Sequence, residues 1–402
     1  MTPSSDGAAG LSGRLVSLMA LSCALAVSTI YYHQPLLPRI ASSFGVPPTQ
    51  ASLIATLTQL GYAIGLLLIV PLADRQQPRK LASLAVAANA VALLACAAAP
   101  SFALLCVASF AVGVTAITAQ IIIPTVSGLA PPALRGRTAG ILLGGLSAGL
   151  LLARTASGFV GAATGWRTVF LAAALVDLGL WAIVARKLPA VTTLTGLGYG
   201  ALLRSLGRLV REERVLRISA ATAFMMFAAF SALWATLAAL LAQPPYGFGP
   251  AAIGAFGLVA LLGIAASPRI GALADRLDAR ALLLAGALAL ALGFAFIAAG
   301  GRGLGWLIAG MVLLDFGNRA GLVANQTRVY ALRPEARSRL NTVFMGAYFL
   351  GGSAGATLGA YGAHRAGWAG LAATGALLAL AAAAINMRSF RAARAAVVDG
   401  TS

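Results

Sequence analysis

Ionisable side chains inside an otherwise apolar stretch, residues 304–342, are the part of this sequence best suited to chemistry. Asp315 and Arg319 are four residues apart, so a helix would place them on one face, where they can pair. Each charge alone at the centre of a bilayer would cost roughly 2.5–3.5 kcal/mol. A carboxyl beside a guanidinium in such a place can exchange a proton, and this is the interpretation we prefer. The alternative is an ion pair that only holds two helices together.

A second cation, Arg154, lies in another apolar run, about two turns from the end of a predicted helix. Its guanidinium could extend to the membrane surface, as long basic side chains often do. We instead expect it near Asp315, where it would assist proton coupling together with Arg319. Asp177 lies in a further run. We expect it to be a buried packing residue, with a proton role as the alternative.

Aromatic and amide side chains within the apolar runs are candidates for a substrate cavity. They could also form an interfacial aromatic belt or ordinary helix packing, and these alternatives stay open. The candidates are Tyr31, Tyr32, His33, Gln34, Gln59, Tyr62, Gln120, Trp234, Asn318, Asn325 and Gln326.

Enzyme motifs are missing from the sequence. It contains no HExxH, no GxxxxGK[ST] and no Cys/His cluster. Cys23, Cys96 and Cys106 lie in apolar runs without metal-ligand spacing, so we expect them to pack as small residues. We therefore expect no enzyme activity, no metal and no cofactor, and any transport would be driven by an ion gradient rather than by ATP.

The composition predicts a helical membrane protein. The 402 residues are 60% hydrophobic and 10% charged, and the mean hydropathy is +0.89. Apolar runs of about 20 residues recur along the chain, which is the length of a membrane-spanning helix. The net charge of +19 would suggest nucleic acid in a soluble protein. Here we attribute it to membrane topology and expect no nucleic-acid partner.

Twelve membrane-spanning helices are predicted, in an all-α fold of two six-helix bundles. A cytoplasmic tail at 1–13 precedes the N-terminal bundle at 14–188, and a linker at 189–215 leads to the C-terminal bundle at 216–388 and a cytoplasmic tail at 389–402. Alternating Leu and Arg residues in the linker predict an amphipathic helix on the inner leaflet, with a mobile linker as the alternative. The predicted spans are 14–37, 50–73, 80–99, 101–124, 138–161, 168–188, 216–242, 250–272, 280–300, 304–327, 339–362 and 367–387.

Loop charges predict the orientation. With the N-terminus inside, the predicted outer loops hold only Arg39, Arg167, Arg302 and Arg365, and the inner loops and tails hold most other basic residues. Because positively charged loops stay in the cytoplasm, we expect both termini on the cytoplasmic side of a cell inner membrane.

An internal repeat supports the two bundles. The sequence Leu-Ala-Asp-Arg occurs at 72–75 and 273–276, Arg-x-Arg at 135–137 and 337–339, and Gly-Trp at 165–166 and 367–368. The three pairs have nearly the same offset, as duplication of a six-helix unit would produce.

These residues resemble the major facilitator superfamily over essentially the full chain. The resemblance implies that Asp74, Arg75 and Arg79, with the second copy Asp275 and Arg276, form a gating motif whose contacts change between conformations. The first copy departs from the family pattern at Val70 and Pro78, where glycine is usual.

Two further segments resemble a bacterial drug–proton antiporter-like branch. One is the Tyr-Tyr-x-Gln-Pro-Leu-Leu-Pro run at 31–38. The other is an antiporter-like glycine motif in the fifth span, with Gly145 where the branch has proline, whose small residues would let the two halves slide or could be ordinary tight packing. Its residues are Gly140, Gly144, Gly145 and Gly149.

The resemblance implies a secondary transporter that works by alternating access. We expect proton-coupled efflux of a small organic molecule, with proton-coupled uptake as the alternative within the class and a non-transporting sensor or enzyme as the alternative outside it. The arginine usual in the family's fourth span is missing, so we expect Arg154 to replace it. The expected partners are the substrate, protons and membrane lipid, and a monomer is expected.

Overall fold

The computed structural model of the chain describes residues 12–131, 134–191, 198–262, 278–333 and 336–398, and all regular secondary structure in these ranges is helical. The first half contains α1 to α9: Gly13–Ser28, Leu37–Phe44, Pro48–Ala51, Leu53–Leu68, Pro78–Ala98, Phe102–Thr115, Thr118–Leu129, Arg135–Thr164 and Trp166–Lys187. The remainder contains α10 to α15: Tyr199–Glu212, Arg214–Leu241, Pro250–Ala255, Ala279–Ala298, Leu304–Tyr330 and Arg337–Val398.

Nine helical segments within these ranges are long and apolar enough to cross a membrane, and two shorter apolar helices cover Gly13–Ser28 and Pro250–Leu262. Large apolar side chains on their outer faces, such as Leu84, Val107 and Leu377, are about two-thirds exposed. Such surfaces would be unfavourable in water but suit contact with lipid. The chain is therefore a multi-pass helical membrane protein. The number of twelve crossings stays a prediction.

Some predicted spans are broken where the sequence disfavours a continuous helix. The span predicted at 14–37 ends its first helix at Ser28, and a 3-10 turn at Gln34–Leu36 begins the next segment, which contains Pro35. Proline lacks the backbone donor that a helix needs, so it fits the start of a new segment. The last two predicted spans join in α15, which is interrupted at Ala366 and Gly367. Gly367 has φ of 54°, a conformation that glycine adopts without strain.

The same helix pair recurs in both halves. A Cβ added at Gly149 of α8 would collide with the backbone of Ala24 in α1, and one at Gly145 would collide with Ala20. In the second half, Gly351 and Gly355 of α15 lie equally close to the backbone of α11. Close glycine packing of this kind holds membrane helices together. It supports the interpretation that the two halves are duplicated.

The glycine motif of α8 packs in this structure as the second interpretation expected, and its role in movement between the halves stays a prediction. Gly145 and Gly149 contact α1 of their own half and do not lie between the halves, and nothing lies within 4 Å of a Cβ added at Gly140 or Gly144. Within α8, Gly158 is the glycine that meets the other half, where it lies against Gly254. The rotation of α8 about its own axis decides which small residues face which neighbour.

Several contacts between the halves lie toward their predicted outer side. Ser353 donates a hydrogen bond to the carbonyl oxygen of Thr56 at 3.0 Å, and the Thr56 and Thr357 hydroxyl oxygens are 3.1 Å apart. On the opposite flank, Thr155 donates to the carbonyl oxygen of Gly254 at 3.1 Å. Helices α4 and α15, and α8 and α12, therefore meet directly where the predicted outer ends lie. The protein is closed on that side.

The predicted linker helix is present as α10. Its apolar residues Leu202, Leu206 and Leu209 are buried. At its C-terminal end, Glu212 and Glu213 form ion pairs of 3.2 and 2.7 Å with Arg333, after the end of α14. At its start, the Tyr199 hydroxyl donates to the Leu68 carbonyl oxygen of the first half at 2.7 Å. The helix thus contacts both halves, and its contact with lipid stays a prediction.

Candidate functional site

The predicted pair on α14 is formed. The Arg319 Nε lies 2.7 Å from the Asp315 Oδ2, one helical turn away. Asp315 is 8% exposed and Arg319 is partly buried. Because an α-helix brings residues i and i+4 together, this contact follows directly from the spacing.

Arg154 of α8 lies in the interior, 2% exposed. Its Nε donates to the Gln34 Oε1 at 2.5 Å, and its Nη1 donates to the Leu150 carbonyl oxygen at 3.2 Å. The guanidinium carbon lies 4.0 Å from the ring centroid of Trp234 and 4.7 Å from that of Tyr31. A guanidinium over aromatic faces is attracted by their negative quadrupoles. Since Trp234 lies on α11, this contact also joins the two halves.

Arg154 and Asp315 interact through their charges. They do not form an ion pair, because no carboxylate in the described ranges lies within 4.0 Å of Arg154. The direct contacts of Arg154 are Gln34 and two aromatic rings, and its role beside Asp315 in proton coupling stays a prediction.

Asn318 adds an aromatic contact to the same region. Its Nδ2 donates to the Tyr348 hydroxyl at 2.9 Å, and the Tyr348 ring stacks on Phe227 with centroids 3.8 Å apart. Tyr348 also interacts electrostatically with Asp315 and Arg319. Sequence reasoning missed Tyr348. The available signal in the sequence was a tyrosine within the apolar run of the eleventh predicted span.

Other amide candidates connect helices around this region. Gln59 donates to the Ser231 hydroxyl at 2.9 Å across the halves, Gln120 donates to the Tyr62 hydroxyl at 3.2 Å, and Thr222 donates to the Asn325 Oδ1 at 3.1 Å. Ser231 and Thr222 were not predicted. The remaining candidate, Gln326, is partly buried, and its Nε2 lies 4.0 Å from the Met345 sulfur.

Several buried polar atoms in this region have no hydrogen-bond partner within the described part of the chain. They are the His33 Nε2, Gln59 Oε1, Asn318 Oδ1 and Asn325 Nδ2. Buried polar groups are nearly always satisfied in folded proteins, by protein, water or ligand. A small cavity beside Arg154, lined by Gln34, Trp234 and Ile253, has room for about one water molecule. We name the group of Asp315, Arg319, Arg154, Gln34, Tyr31, Trp234, Asn318 and Tyr348 the central cluster.

Asp177 lies outside the central cluster. It is 2% exposed on α9, and its charge acts on Tyr32, which is partly buried at the end of the first predicted span. This position agrees with the expected packing role. Tyr32 therefore faces the interior of the first half.

The first copy of the gating motif begins at Asp74, the last residue of the 3-10 helix Val70–Asp74. Asp74 interacts electrostatically with Arg339 of the second half, and the Arg79 Nε donates to the Ala185 carbonyl oxygen at 2.5 Å. Arg75 is exposed. Asp275 and Arg276, the second copy, lie outside the described residues.

Long apolar helices around a buried charged centre are the architecture of a membrane transport protein. The sequence model of the Major Facilitator Superfamily matches residues 19–318 and 219–399, and the chain belongs to this family. It is therefore a secondary transporter of small molecules and not an enzyme.

The chain is similar in sequence to proteins from Escherichia coli and Streptomyces coelicolor. It is 37% identical over 354 residues to the "Uncharacterized transporter YgaY" of Escherichia coli O157:H7, covering 87% of this chain and 89% of the relative. It is 35% identical over 359 residues to a Streptomyces coelicolor protein described as a transporter, covering 89% and 83%.

Solved structures show the same fold. A bacterial homologue of the human lysosomal transporter Spinster, inward-facing and occupied, superimposes with a TM-score of 0.74 at 17% identity over 94% of this chain and 96% of that one. The nucleoside transporter NupG gives 0.74 at 13% identity over 92% and 99%.

Proposed function

We propose that the protein is a proton-coupled transporter of a small organic molecule, working by alternating access between the halves at 14–188 and 216–388. The substrate would pass through the central cluster. The proposal includes a monomer in the cell inner membrane, and the charge distribution of the loops supports an orientation with both termini in the cytoplasm.

The Asp315–Arg319 pair is the observation that carries this proposal. A carboxylate 2.7 Å from a guanidinium inside a membrane-spanning helix is a local charge balance that one proton can change. When Asp315 takes up a proton, Arg319 loses its anionic partner and Arg154 loses an attraction. When the proton leaves, both interactions return. The proton therefore alters the charge that a substrate meets in the central cluster.

Arg154 connects this charge change to the movement of the halves. Its guanidinium lies between Tyr31 of the first half and Trp234 of the second. A change in the charge near Arg154 alters the strength of these contacts, and thus the relative stability of the closed outer side. We assign Gln59 and Ser231, which also join the halves, to the same closing contact.

Two directions of substrate transport are candidates, efflux and uptake. Efflux by proton antiport is supported by the glycine motif in α8, which resembles that of the drug–proton antiporter branch. Proton-coupled uptake is supported by a different observation, the excess of positive charge in the central cluster, where two arginines accompany one carboxyl.

Replacement of Asp315 tests the proton role. We expect D315N protein in proteoliposomes to lose the internal pH change that the wild type shows with its substrates, because an amide cannot carry the proton. The measurement uses an internal pH-sensitive dye and a panel of organic acids, amines and neutral drugs.

Asp177 supplies the matched control for this experiment. It is the other carboxyl within an apolar span, also buried but outside the central cluster. We expect D177N protein to keep the pH change. Full proton coupling in D315N protein would refute the proposed role of Asp315.

A further inference from the structure

The central cluster contains more positive than negative charge. The sequence has ten acidic residues, and only Asp177 and Asp315 lie well inside the apolar spans. The charge of Asp177 acts on Tyr32, which is not part of the central cluster. Asp315 is bonded to Arg319. Arg154 is therefore a second central cation, and the cluster carries one excess positive charge even when Asp315 is ionised.

Arg154 is also incompletely bonded. A guanidinium has five N–H donors in a planar fork. The contacts in the described ranges use the Nε and one Nη1 hydrogen, through Gln34 and the carbonyl oxygen of Leu150. Carboxylates fit the remaining edge of such a fork with two parallel hydrogen bonds. A buried cation without an anion is costly, and a bound anion would remove that cost.

The surroundings of Arg154 favour an apolar body on that anion. Trp234 and Tyr31 present ring faces next to the guanidinium, and Leu237 and Ile253 complete the adjoining cavity. The guanidinium already covers these two ring faces, so the body of the anion would lie against the apolar wall of the cavity. The cavity here has room for about one water molecule, so an organic anion would enter it only when the halves move apart at this point.

We propose that Arg154 is the binding residue for a small organic anion, a carboxylate with an apolar body, and that this anion moves together with a proton. The proposal rests on the proton role of Asp315 proposed above. The Asp315 carboxylate and the anion compete for the same positive field, from Arg319 and Arg154. Protonation of Asp315 removes one competitor, so the proton strengthens anion binding, and by linkage the anion strengthens proton binding to the same degree.

The groups that act on this exchange come from several helices. Arg319, Arg154 and Tyr348 interact electrostatically with Asp315. Tyr31 and His33 interact with Arg154. Ligands that bind together are transported in the same direction, so this linkage favours proton-coupled uptake over antiport.

Three matched probes test the charge preference: benzoate, benzylamine and benzyl alcohol, which share one ring and differ in charge. We expect the purified full-length protein to bind benzoate about 10- to 100-fold more tightly than the other two, the range expected for hydrogen bonds to a charged group. Binding is measured by quenching of tryptophan fluorescence and by thermal stabilisation. Further aromatic and aliphatic carboxylates, each with its matched amine, extend the panel.

Variants separate the residues involved. R154Q should lose the preference for the carboxylate and R154K should keep part of it, because the charge remains but the planar fork does not. R302Q, which removes an exposed arginine, should bind as the wild type does. D315N should bind benzoate at mildly alkaline pH as tightly as the wild type does at acidic pH, since an amide imitates the protonated carboxyl.

The outcomes distinguish this inference from the proposed function. Tighter binding of amines, no binding by any carboxylate in the panel, or an unchanged preference in R154Q would overturn the anion assignment, whether or not D315N has lost proton coupling. Benzoate binding that weakens on acidification would overturn the linkage. Failure of the proton role alone would appear as full coupling in D315N together with a normal preference for carboxylates.

Discussion

At the scale of single residues, the central cluster shows how an apolar interior accommodates charge. Asp315 is neutralised by a neighbour on its own helix, whereas Arg154 is stabilised by an amide oxygen and two aromatic faces. An aromatic face attracts a cation but does not cancel its charge. Arg154 therefore remains able to attract an anion, which distinguishes the two arginines of the cluster.

Trp234 should contribute measurably to the closed form. We expect W234L to lower the unfolding temperature of the purified protein, because it removes an aromatic face worth about 0.5–2 kcal/mol to a cation. W306L is the control, since Trp306 is half exposed on the outer surface and stacks on Phe296. Equal unfolding temperatures for the two variants would show that the contact with Arg154 contributes little to stability.

At the scale of helices, glycine decides how closely two backbones approach. Gly149 lies against Ala24 of α1, whereas Gly144, on the same helix, has open space where a Cβ would be. Both glycines belong to the same predicted motif. Only one of them is required for packing in this structure.

This contrast gives a matched pair of substitutions. G149A should destabilise the protein by about 1–3 kcal/mol, the usual cost of overpacking. G144A should be neutral or slightly stabilising, because alanine favours the helix by about 1 kcal/mol relative to glycine. Thermal unfolding in detergent measures both. A similar loss of stability in the two variants would mean that Gly144 also makes a close contact.

At the scale of the whole molecule, the outer contacts between halves form two flanks, α4 with α15 and α8 with α12. Both include small residues and hydroxyl groups, such as Thr56 with Thr357 and Gly158 with Gly254. Larger side chains join the halves nearer the centre, as Tyr62 does with Phe349. The two flanks bring backbones close without deep interlocking of side chains, so they can separate and re-form as rigid halves move, as alternating access requires.

A cross-link between Thr56 and Thr357 tests this movement. With Cys23, Cys96 and Cys106 replaced, we expect T56C/T357C protein to form a disulfide on oxidation, because the two hydroxyl oxygens are 3.1 Å apart. Oxidised protein should show no substrate-induced pH change in proteoliposomes, and reduction should restore it. Each single cysteine variant serves as a control. Undiminished transport by the cross-linked protein would mean that this flank stays closed during the cycle.

The sequence alone determined much of the fold. Long apolar runs predicted the helices. The repeated segments predicted two duplicated halves, which is supported by the equivalent glycine contacts in each half. The i, i+4 spacing predicted the contact of Asp315 with Arg319. These features depend on neighbours along the chain, since helix geometry fixes what lies one turn away. Family membership followed from the same local motifs.

Only the tertiary structure decided how the helices face one another. Nothing local to the sequence of α8 shows that Arg154 contacts Gln34 and Trp234 or that Gly149 turns toward α1. Helices in lipid are apolar on most sides, so the hydrophobic pattern does not fix their rotation. That rotation comes from the simultaneous packing of all neighbours, and it determines which few charges meet at the centre.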